Sequence, residues 1–411
     1  MPVPTLDLDF VRRQFPALAD GWAFFENAGG SYVPSSVIGR VRAYMTEAQV
    51  QPAWSFAASA EAAARIAARP RLAAELINAD PDEVIVGPST TMNVYVLAQA
   101  LRPGFAPGDE VIVTNLDHEA NIGAWRRLAE FGVTVREWRL DPETGALDDS
   151  GLDRLLSERT RLVCFSHCSN VVGSLHDAGR IVGRIHAAGA LACVDGVAYA
   201  PHRQVDVKAL DVDFYAYSPY KVFGPHLGVL YGKRAHLRAA RGQNHFFIGE
   251  DDVPLKLNPG GPNHELTAGL AGVADYFDTL YARHFDAPEN SFHARAGRVY
   301  GLIAAHETDI AGRLLGYLAG RRDIRVVGRP DAADGRRAPT VSFAVAGRQS
   351  GDIAAALAGE RIAVGFGDFY ARRCVEALGL LAQGGVVRVG MAHYNTAEEV
   401  ERLIAALDRI I

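Results

Sequence analysis

Cysteine is scarce in this chain, which has four cysteines among 411 residues. Cys164, Cys168, Cys193 and Cys374 form no evident disulfide framework, and their spacing matches no zinc-binding pattern. The sequence therefore predicts a reduced, cytoplasmic protein without a metal site.

Positive charge and long apolar runs are lacking too. The formal net charge is −6, so no basic field is available to attract nucleic acid or an anionic membrane surface. No apolar stretch approaches the roughly 20 residues that cross a bilayer. The first residues, MPVPTLDLDF, are acidic and broken by prolines, unlike a signal peptide. We expect neither nucleic acid nor a membrane as a partner.

Short apolar runs alternate with helical periodicity through the first part of the chain. Such alternation is typical of a mostly parallel sheet with helices on both faces. The strand LGVLYG follows a tight turn, which predicts an antiparallel neighbour. The other strand-like runs are EVIVG, EVIVTNL, VTVREW, RLVCFSH, ALACVD and FYAY.

The pattern changes after about Pro262. A largely helical stretch runs from Leu266 to Leu318, with an interruption near Pro288. Short strands and helices then alternate to the end of the chain. This change predicts a second, smaller α+β domain.

Polar side chains follow or end five of the strands in the first part. Ligands in open α/β sheets bind beyond the carboxyl ends of the strands. Taken singly, these residues have ordinary interpretations as helix caps, turn residues or surface groups. Taken together they predict one site, formed by Ser89, Thr90, Thr91, His118, Asn170, Asp195, Ser218, Tyr220 and Lys221.

Lys221 and Asp195 indicate the chemistry of this site. Each follows or ends an apolar strand, a rare place for a charged side chain without a partner. A lysine amine can form a Schiff base with an aldehyde, and a carboxylate can keep a pyridine nitrogen protonated. These are the two groups that a pyridoxal 5'-phosphate site needs.

Several motifs resemble those of the cysteine desulfurase-like branch of the class V aminotransferases. The similarity covers nearly the whole chain and includes FFENAGGSYVP, HEANI, SNVVG, the run around SPYKVFGPHLGVLYG, NPGGPNHE and VVRVGMAHYNTAEEVERL. It implies a pyridoxal-phosphate enzyme of fold type I, with a mostly parallel seven-stranded sheet. It also implies a large domain over residues 20–270, a small domain from 1–19 and 271–411, and a homodimer with its sites at the subunit interface.

The resemblance also assigns roles to individual residues. Lys221, Asp195 and His118 are implied as catalytic, with His118 stacked on the cofactor ring. Arg388 is implied to bind the α-carboxylate of an amino-acid substrate. Asn27, Ala28 and Tyr370 are implied to lie near that substrate. The remaining cofactor-binding residues are Ser89, Thr90, Thr91, Asn170, Ser218 and Tyr220.

The chain differs from the family at positions whose side chains determine which reaction follows. Tyr370 stands where a desulfurase has its mobile-loop cysteine, and Gly365 where it has an arginine. Ala198 and Gly261 replace residues whose side chains contact the cofactor in relatives. The departures favour C–S lyase chemistry by β-elimination, or aminotransfer.

Two other reactions, and one class of protein that is not an enzyme, are alternatives to these two reactions. Cys374 lies one helical turn beyond the loop, and its use would make the protein a true cysteine desulfurase. A racemase or epimerase needs only the lysine and the cofactor. A non-catalytic protein that uses the fold for binding is the alternative of a different class.

Overall fold

The computed structural model describes residues 4–67, 69–332 and 334–411. Strands and helices alternate in two sections of the chain. The strands are β1 Ala23–Phe24, β2 Val84–Gly87, β3 Glu110–Thr114, β4 Thr134–Trp138, β5 Thr160–Ser166, β6 Leu191–Asp195, β7 Phe214–Tyr217, β8 Gly228–Gly232, β9 Ile324–Val327, β10 Thr340–Val345, β11 Ile362–Ala363, β12 Gly365–Gly367 and β13 Val386–Gly390. The α-helices are α1 Leu8–Arg13, α2 Ser35–Glu47, α3 Ala57–Ala67, α4 Arg69–Leu76, α5 Thr90–Leu101, α6 Glu119–Arg126, α7 Asp149–Asp153, α8 Ala178–Ala187, α9 Val207–Leu210, α10 Arg234–Ala239, α11 His264–His284, α12 Phe292–Ala319, α13 Ser350–Gly359, α14 Arg372–Ala377 and α15 Ala397–Ile410.

Seven strands form the large sheet, in the order β2-β8-β7-β6-β5-β3-β4. Strands β3 to β7 pair in parallel, whereas β8 is antiparallel to both β7 and β2. The carboxyl ends of β2, β3, β5, β6 and β7 therefore meet at one edge of the sheet. The predicted fold class, including the antiparallel strand LGVLYG, is confirmed.

Apolar side chains cover both faces of this sheet. One cluster packs helices α8, α11 and the first part of α12 against one face, and a second packs α5 and α6 against the other. The strands are buried on both sides, which explains why their sequences are continuous apolar runs.

A smaller sheet, in the order β12-β13-β10-β9, is antiparallel throughout. Beside it, β1 pairs in parallel with β11. Helices α13, α15 and the second part of α12 bury their apolar faces against these strands. The break between α11 and α12 lies at residues 285–291 and contains Pro288, as the sequence predicts.

Two apolar clusters cross the predicted domain boundaries. Val11 and Phe15 pack with the cluster of the large sheet, although they precede residue 20. Ala23 and Phe25 pack with the cluster of the small sheet. The predicted division at residues 19/20 and 270/271 stays a prediction. Because Ile303 packs in the cluster of the large sheet and Ile310 in the cluster of the small sheet, we propose that the two domains meet within α12.

None of the helices in the described part of the chain is long and apolar enough to cross a membrane.

Candidate active site

Lys221 ends a single 3-10 turn, Pro219–Lys221, that follows β7. Its side chain is buried, and the residue is 7% exposed. Burial is the main cause that lowers the pKa of Lys221 to about 8, and the charge of Arg388 adds to it, while Asp195 and Glu26 oppose it. A buried amine with this pKa is deprotonated in a useful fraction near neutral pH, so it can act as a nucleophile.

Asp195 ends β6, next to β7, and is 6% exposed. Its Oδ1 accepts a hydrogen bond of 2.8 Å from the backbone N–H of Val197. Burial raises the pKa of Asp195 to about 6, only partly opposed by that hydrogen bond and by Lys221. A carboxylate in this situation is stabilised by any cationic group that reaches it. A protonated pyridine nitrogen is such a group, so Asp195 fits a pyridoxal ring.

His118 caps the N-terminus of α6. Its Nδ1 accepts a hydrogen bond of 3.0 Å from the backbone N–H of Ala120, so the proton of the neutral ring is on Nε2. Burial, followed by the charges of Lys221 and Arg388, lowers the pKa of His118 to about 4. The imidazole is therefore neutral at pH 7, a flat uncharged ring suited to packing on an aromatic face.

The start of α5 supplies hydroxyl and backbone N–H groups. Ser89 caps the helix by accepting a hydrogen bond from the N–H of Met92. Thr90 is buried, and its hydroxyl bonds the Tyr217 carbonyl at 3.0 Å and the Ser218 hydroxyl at 2.7 Å. Thr91 is exposed in the first turn. The first N–H groups of a helix bind anions well, so this end of the site suits a phosphate.

Strand β8 approaches the same turn closely. A side chain at Gly228 would overlap the backbone of Ser89 and Thr90, so only glycine fits here. Tyr220 is half-buried nearby, and its ring stacks on His226 with centroids 4.6 Å apart. The tight packing fixes the start of α5 relative to the turn that carries Lys221.

Arg388 lies at the middle of β13, where it is 2% exposed. Its guanidinium forms an ion pair with Glu26 and donates a hydrogen bond of 3.2 Å to the Asn170 carbonyl. The ring of Phe369 lies against the guanidinium, with 3.6 Å between the centroid and Cζ. Burial lowers the pKa of Arg388, and Glu26 acts against this shift. Arg388 is therefore a buried cation with a charged partner, and not a surface residue.

Asn170 connects the loop after β5 to the segment after β12. Its Nδ2 donates a hydrogen bond of 3.0 Å to the Phe369 carbonyl. The Tyr370 carbonyl accepts a hydrogen bond of 2.8 Å from the N–H of Glu119, and the Tyr370 and His118 rings lie 5.3 Å apart. Phe369 and Tyr370 have φ angles of 51° and 60°, in the left-handed region. Three contacts thus hold the segment at Phe369 and Tyr370 against the rest of the site.

Tyr370 is 76% exposed, whereas Cys374 is fully buried in α14. Burial raises the pKa of the Cys374 thiol to about 12, so almost no thiolate exists at neutral pH. The three other cysteines are buried as well. The structure therefore offers no exposed thiol in the described part of the chain.

Asn27 and Ala28 lie between β1 and the carboxyl end of β13. The Asn27 side-chain amide donates to the carbonyls of Phe24 and Gly390 and to Asn395, and Tyr394 donates to its oxygen. The N–H donors of this side chain are thus occupied by the protein itself. The expected substrate contact of Asn27 stays a prediction, and its evident role is to hold the loop that carries Glu26.

Sequence reasoning missed Glu26 and Phe369, although Glu26 lies in the motif FFENAGGSYVP and Phe369 precedes Tyr370. The residues next to Glu26 and Phe369 in the sequence give no sign that either side chain contacts Arg388. Tyr199 follows Ala198 and stacks on His167 with centroids 3.5 Å apart. The sequence around Ala198 and Tyr199 likewise gives no local sign that Tyr199 stacks on His167.

Comparison with known proteins agrees with this architecture. The family model described as aminotransferase class-V matches residues 23–299 and 300–403. The chain is 38% identical to the aminotransferase-like protein FGM3 of Gibberella zeae, over 100% of both proteins. It is 35% identical to the cysteine desulfurase-like protein ustD of Aspergillus flavus, over 99% of this chain and 91% of that protein.

A solved structure shows the same fold. The cysteine desulfurase CsdA from Escherichia coli superposes with a TM-score of 0.84 at 29% identity, covering 99% of this chain and 98% of that chain. Together with the buried Lys221 and Asp195, these findings identify the protein as a cysteine desulfurase-like enzyme of the class V aminotransferase family, with pyridoxal 5'-phosphate as its cofactor.

Proposed function

We propose that this enzyme acts on an α-amino acid and cleaves a C–S bond by β-elimination, releasing the leaving group without passing it to a cysteine. The observation that carries the proposal is the burial of all four cysteines, with Cys374 at a pKa of about 12. Transfer of sulfur to the enzyme requires a thiolate that meets the substrate, and a buried thiol with a raised pKa is unsuited to it.

In this proposal the cofactor, when bound, accepts the negative charge that develops at the substrate Cα. Lys221 attaches the cofactor and moves the proton at Cα. Asp195 keeps the pyridine nitrogen protonated, and His118 packs on the ring. Arg388 binds the substrate α-carboxylate, with Asn27, Ala28 and Tyr370 nearby. The phosphate and ring substituents are held by Ser89, Thr90, Thr91, Asn170, Ser218 and Tyr220.

Aminotransfer is the second candidate, and the similarity to FGM3, an aminotransferase-like protein, favours it. The same lysine serves either reaction, because both begin with loss of the Cα proton. They differ in the fate of the amino group and of the group on Cβ. Product analysis therefore separates them.

L-Cysteine is a direct probe of the reaction. β-Elimination converts cysteine and water into pyruvate, ammonia and hydrogen sulfide, whereas transamination yields 3-mercaptopyruvate and desulfuration yields alanine. We expect pyruvate and sulfide in equal amounts from the wild type and from Cys374→Ser. Alanine that disappears in Cys374→Ser would identify a true desulfurase and contradict the proposal.

A homodimer is part of the proposal. Phe246 is 99% exposed and Phe247 is also exposed, and the two rings contact each other. An apolar groove of about 800 Å³ lies near the site, lined in part by Val37, Ile38 and Met45. A second copy that covers such surfaces would remove apolar area from water. Sedimentation of the wild type and of a Phe246→Ser/Phe247→Ser variant tests this, and an unchanged mass would contradict a contact through these rings.

A further inference from the structure

Both terminal nitrogens of the Arg388 guanidinium are already paired. Glu26 occupies one terminal nitrogen of the guanidinium, and the Asn170 carbonyl occupies the other. Phe369 covers one face at 3.6 Å. If Arg388 binds the carboxylate of an amino acid, a group that now contacts it has to move.

The contact with Glu26 is incomplete. Only Oε1 of Glu26 bonds the guanidinium, through one nitrogen. Arg388 Nε is buried and has no hydrogen-bond partner among residues 4–67, 69–332 and 334–411. A buried N–H donor without an acceptor costs free energy. A carboxylate that bonded Nε and the adjacent terminal nitrogen together would satisfy both donors.

Two glycines border the place beside Arg388 where the Glu26 carboxylate lies. A side chain at Gly29 would overlap Glu26 Oε2, and one at Gly365 would overlap Glu26 Oε1. Two glycines thus leave the room in which the carboxylate lies. The Glu26 side chain is 29% exposed, so it can turn towards solvent and leave that room to another carboxylate.

We propose that Glu26 is an internal competitor for the substrate carboxylate at Arg388 and thereby sets how tightly the enzyme binds amino acids. This inference rests on the role of Arg388 in the proposed function. In the free enzyme Glu26 neutralises the buried guanidinium. When an amino acid binds, its carboxylate replaces that of Glu26, so the buried cation is never left without an anion.

Glu26 is a specificity-determining residue in this arrangement, since it selects for ligands that bring their own carboxylate. A ligand without one leaves the Glu26 pair intact and gains nothing from Arg388. The opposite role, a permanent partner that orients Arg388, requires that removal of the Glu26 charge weakens binding. The two roles therefore predict changes of opposite sign.

The test compares Glu26→Gln with the wild-type holoenzyme. L-Alanine and L-alaninamide are titrated while the absorbance of the bound cofactor is followed, and acetate is titrated by calorimetry. We expect Glu26→Gln to lower the Kd of L-alanine and of acetate about tenfold, and to leave that of L-alaninamide within twofold. Unchanged or weaker binding of L-alanine and acetate overturns the inference.

Two further variants keep the result interpretable. Glu26→Asp is one methylene shorter and holds its carboxylate farther from Arg388, so it should show a gain in the same direction even if Glu26→Gln fails to fold. Glu119→Gln removes a carboxylate that pairs with Arg373 instead, and it should bind acetate as the wild type does. An equal gain in Glu119→Gln would show a general charge effect and overturn the inference.

Acetate also separates this inference from the proposed function. If the wild type gives no response to amino acids but Glu26→Gln binds acetate more tightly, the proposed function fails and the role of Glu26 stands. If amino acids bind and react but acetate binding does not change with Glu26, the inference fails alone.

Discussion

Phe369 covers one face of the Arg388 guanidinium, with its ring centroid 3.6 Å from Cζ. The Phe369 carbonyl accepts a hydrogen bond from Asn170, whose own carbonyl bonds Arg388. Phe369, Asn170 and Arg388 therefore form a closed set of contacts between the two sheets. This set orders a segment whose φ angles are unfavourable for residues other than glycine.

Replacement of Phe369 by Ala should weaken amino-acid binding. Without the ring the guanidinium is free to turn away, and holding it in place for a ligand then costs up to about 1–2 kcal/mol, the strength of such a cation–π contact. This corresponds to about a five- to 30-fold increase in Kd for L-alanine. Phe366 lies on the same segment but is exposed, so Phe366→Ala is the matched control and should bind L-alanine normally. Equal effects of the two variants would show that the ring of Phe369 has no specific role.

Attachment of the cofactor to the apoenzyme should depend on pH through Lys221. The pKa of Lys221 is about 8, and only the deprotonated amine attacks an aldehyde. The initial rate of attachment, followed near 400 nm, should rise about tenfold per pH unit below pH 8 and level off above it. Because Arg388 helps to lower this pKa, Arg388→Gln should move the midpoint to higher pH. A midpoint that moves down would contradict the electrostatic account.

Asp195→Asn should stabilise the apoprotein while it impairs the enzyme. The folded pKa of about 6 lies above the ordinary value of 3.8, so ionisation of Asp195 costs stability as the pH rises through 6. We expect Asp195→Asn to raise the free energy of unfolding by about 1–3 kcal/mol at pH 8, with no gain below about pH 4. Urea unfolding of the apoproteins measures this.

In the holoenzyme the same substitution removes the group that keeps the pyridine nitrogen protonated. We expect turnover to fall about 100-fold or more, as for other losses of a positioned acid or base. Asp195→Glu retains the charge and should keep more activity than Asp195→Asn. Equal activity of Asp195→Asn and the wild type would exclude the expected role of Asp195.

Cys374→Ala should cost stability without changing the reaction. The side chain is fully buried in an apolar cluster with Val171 and Val375, so the small cavity should lower the free energy of unfolding by about 1 kcal/mol. The rate of pyruvate formation from L-cysteine should stay within twofold of the wild type. A loss of sulfide release together with normal stability would assign the thiol a chemical role.

The sequence predicts the large sheet well because its signals are local. Each buried strand is a continuous apolar run, and the glycine- and proline-rich turn after β7 marks the antiparallel β8. Lys221 and Asp195 stand out because charged residues are rarely placed beside buried strands unless they have a partner or a function. That the candidate site lies at one edge of the sheet follows from the parallel order of these strands.

The domain division is harder to derive from the sequence. Helix α12 runs through both apolar clusters, so its periodicity gives no sign of where one unit ends. The N-terminal segment likewise contributes Phe15 to one cluster and Phe25 to the other. Such assignments depend on the path of the chain in space and not on its local pattern.

By itself, the sequence determined the class of fold, the cofactor chemistry and the residues at the strand ends. These depend on apolar runs and on the polar residues next to them, which are neighbours in the chain. Only the tertiary structure decided that Glu26, Asn170 and Phe369 surround Arg388. Glu26 and Arg388 are separated by 362 residues in the chain. Their contact arises because Glu26, just after β1, forms a parallel bridge to Gly390 at the end of β13, and no local pattern encodes a pairing between such distant residues.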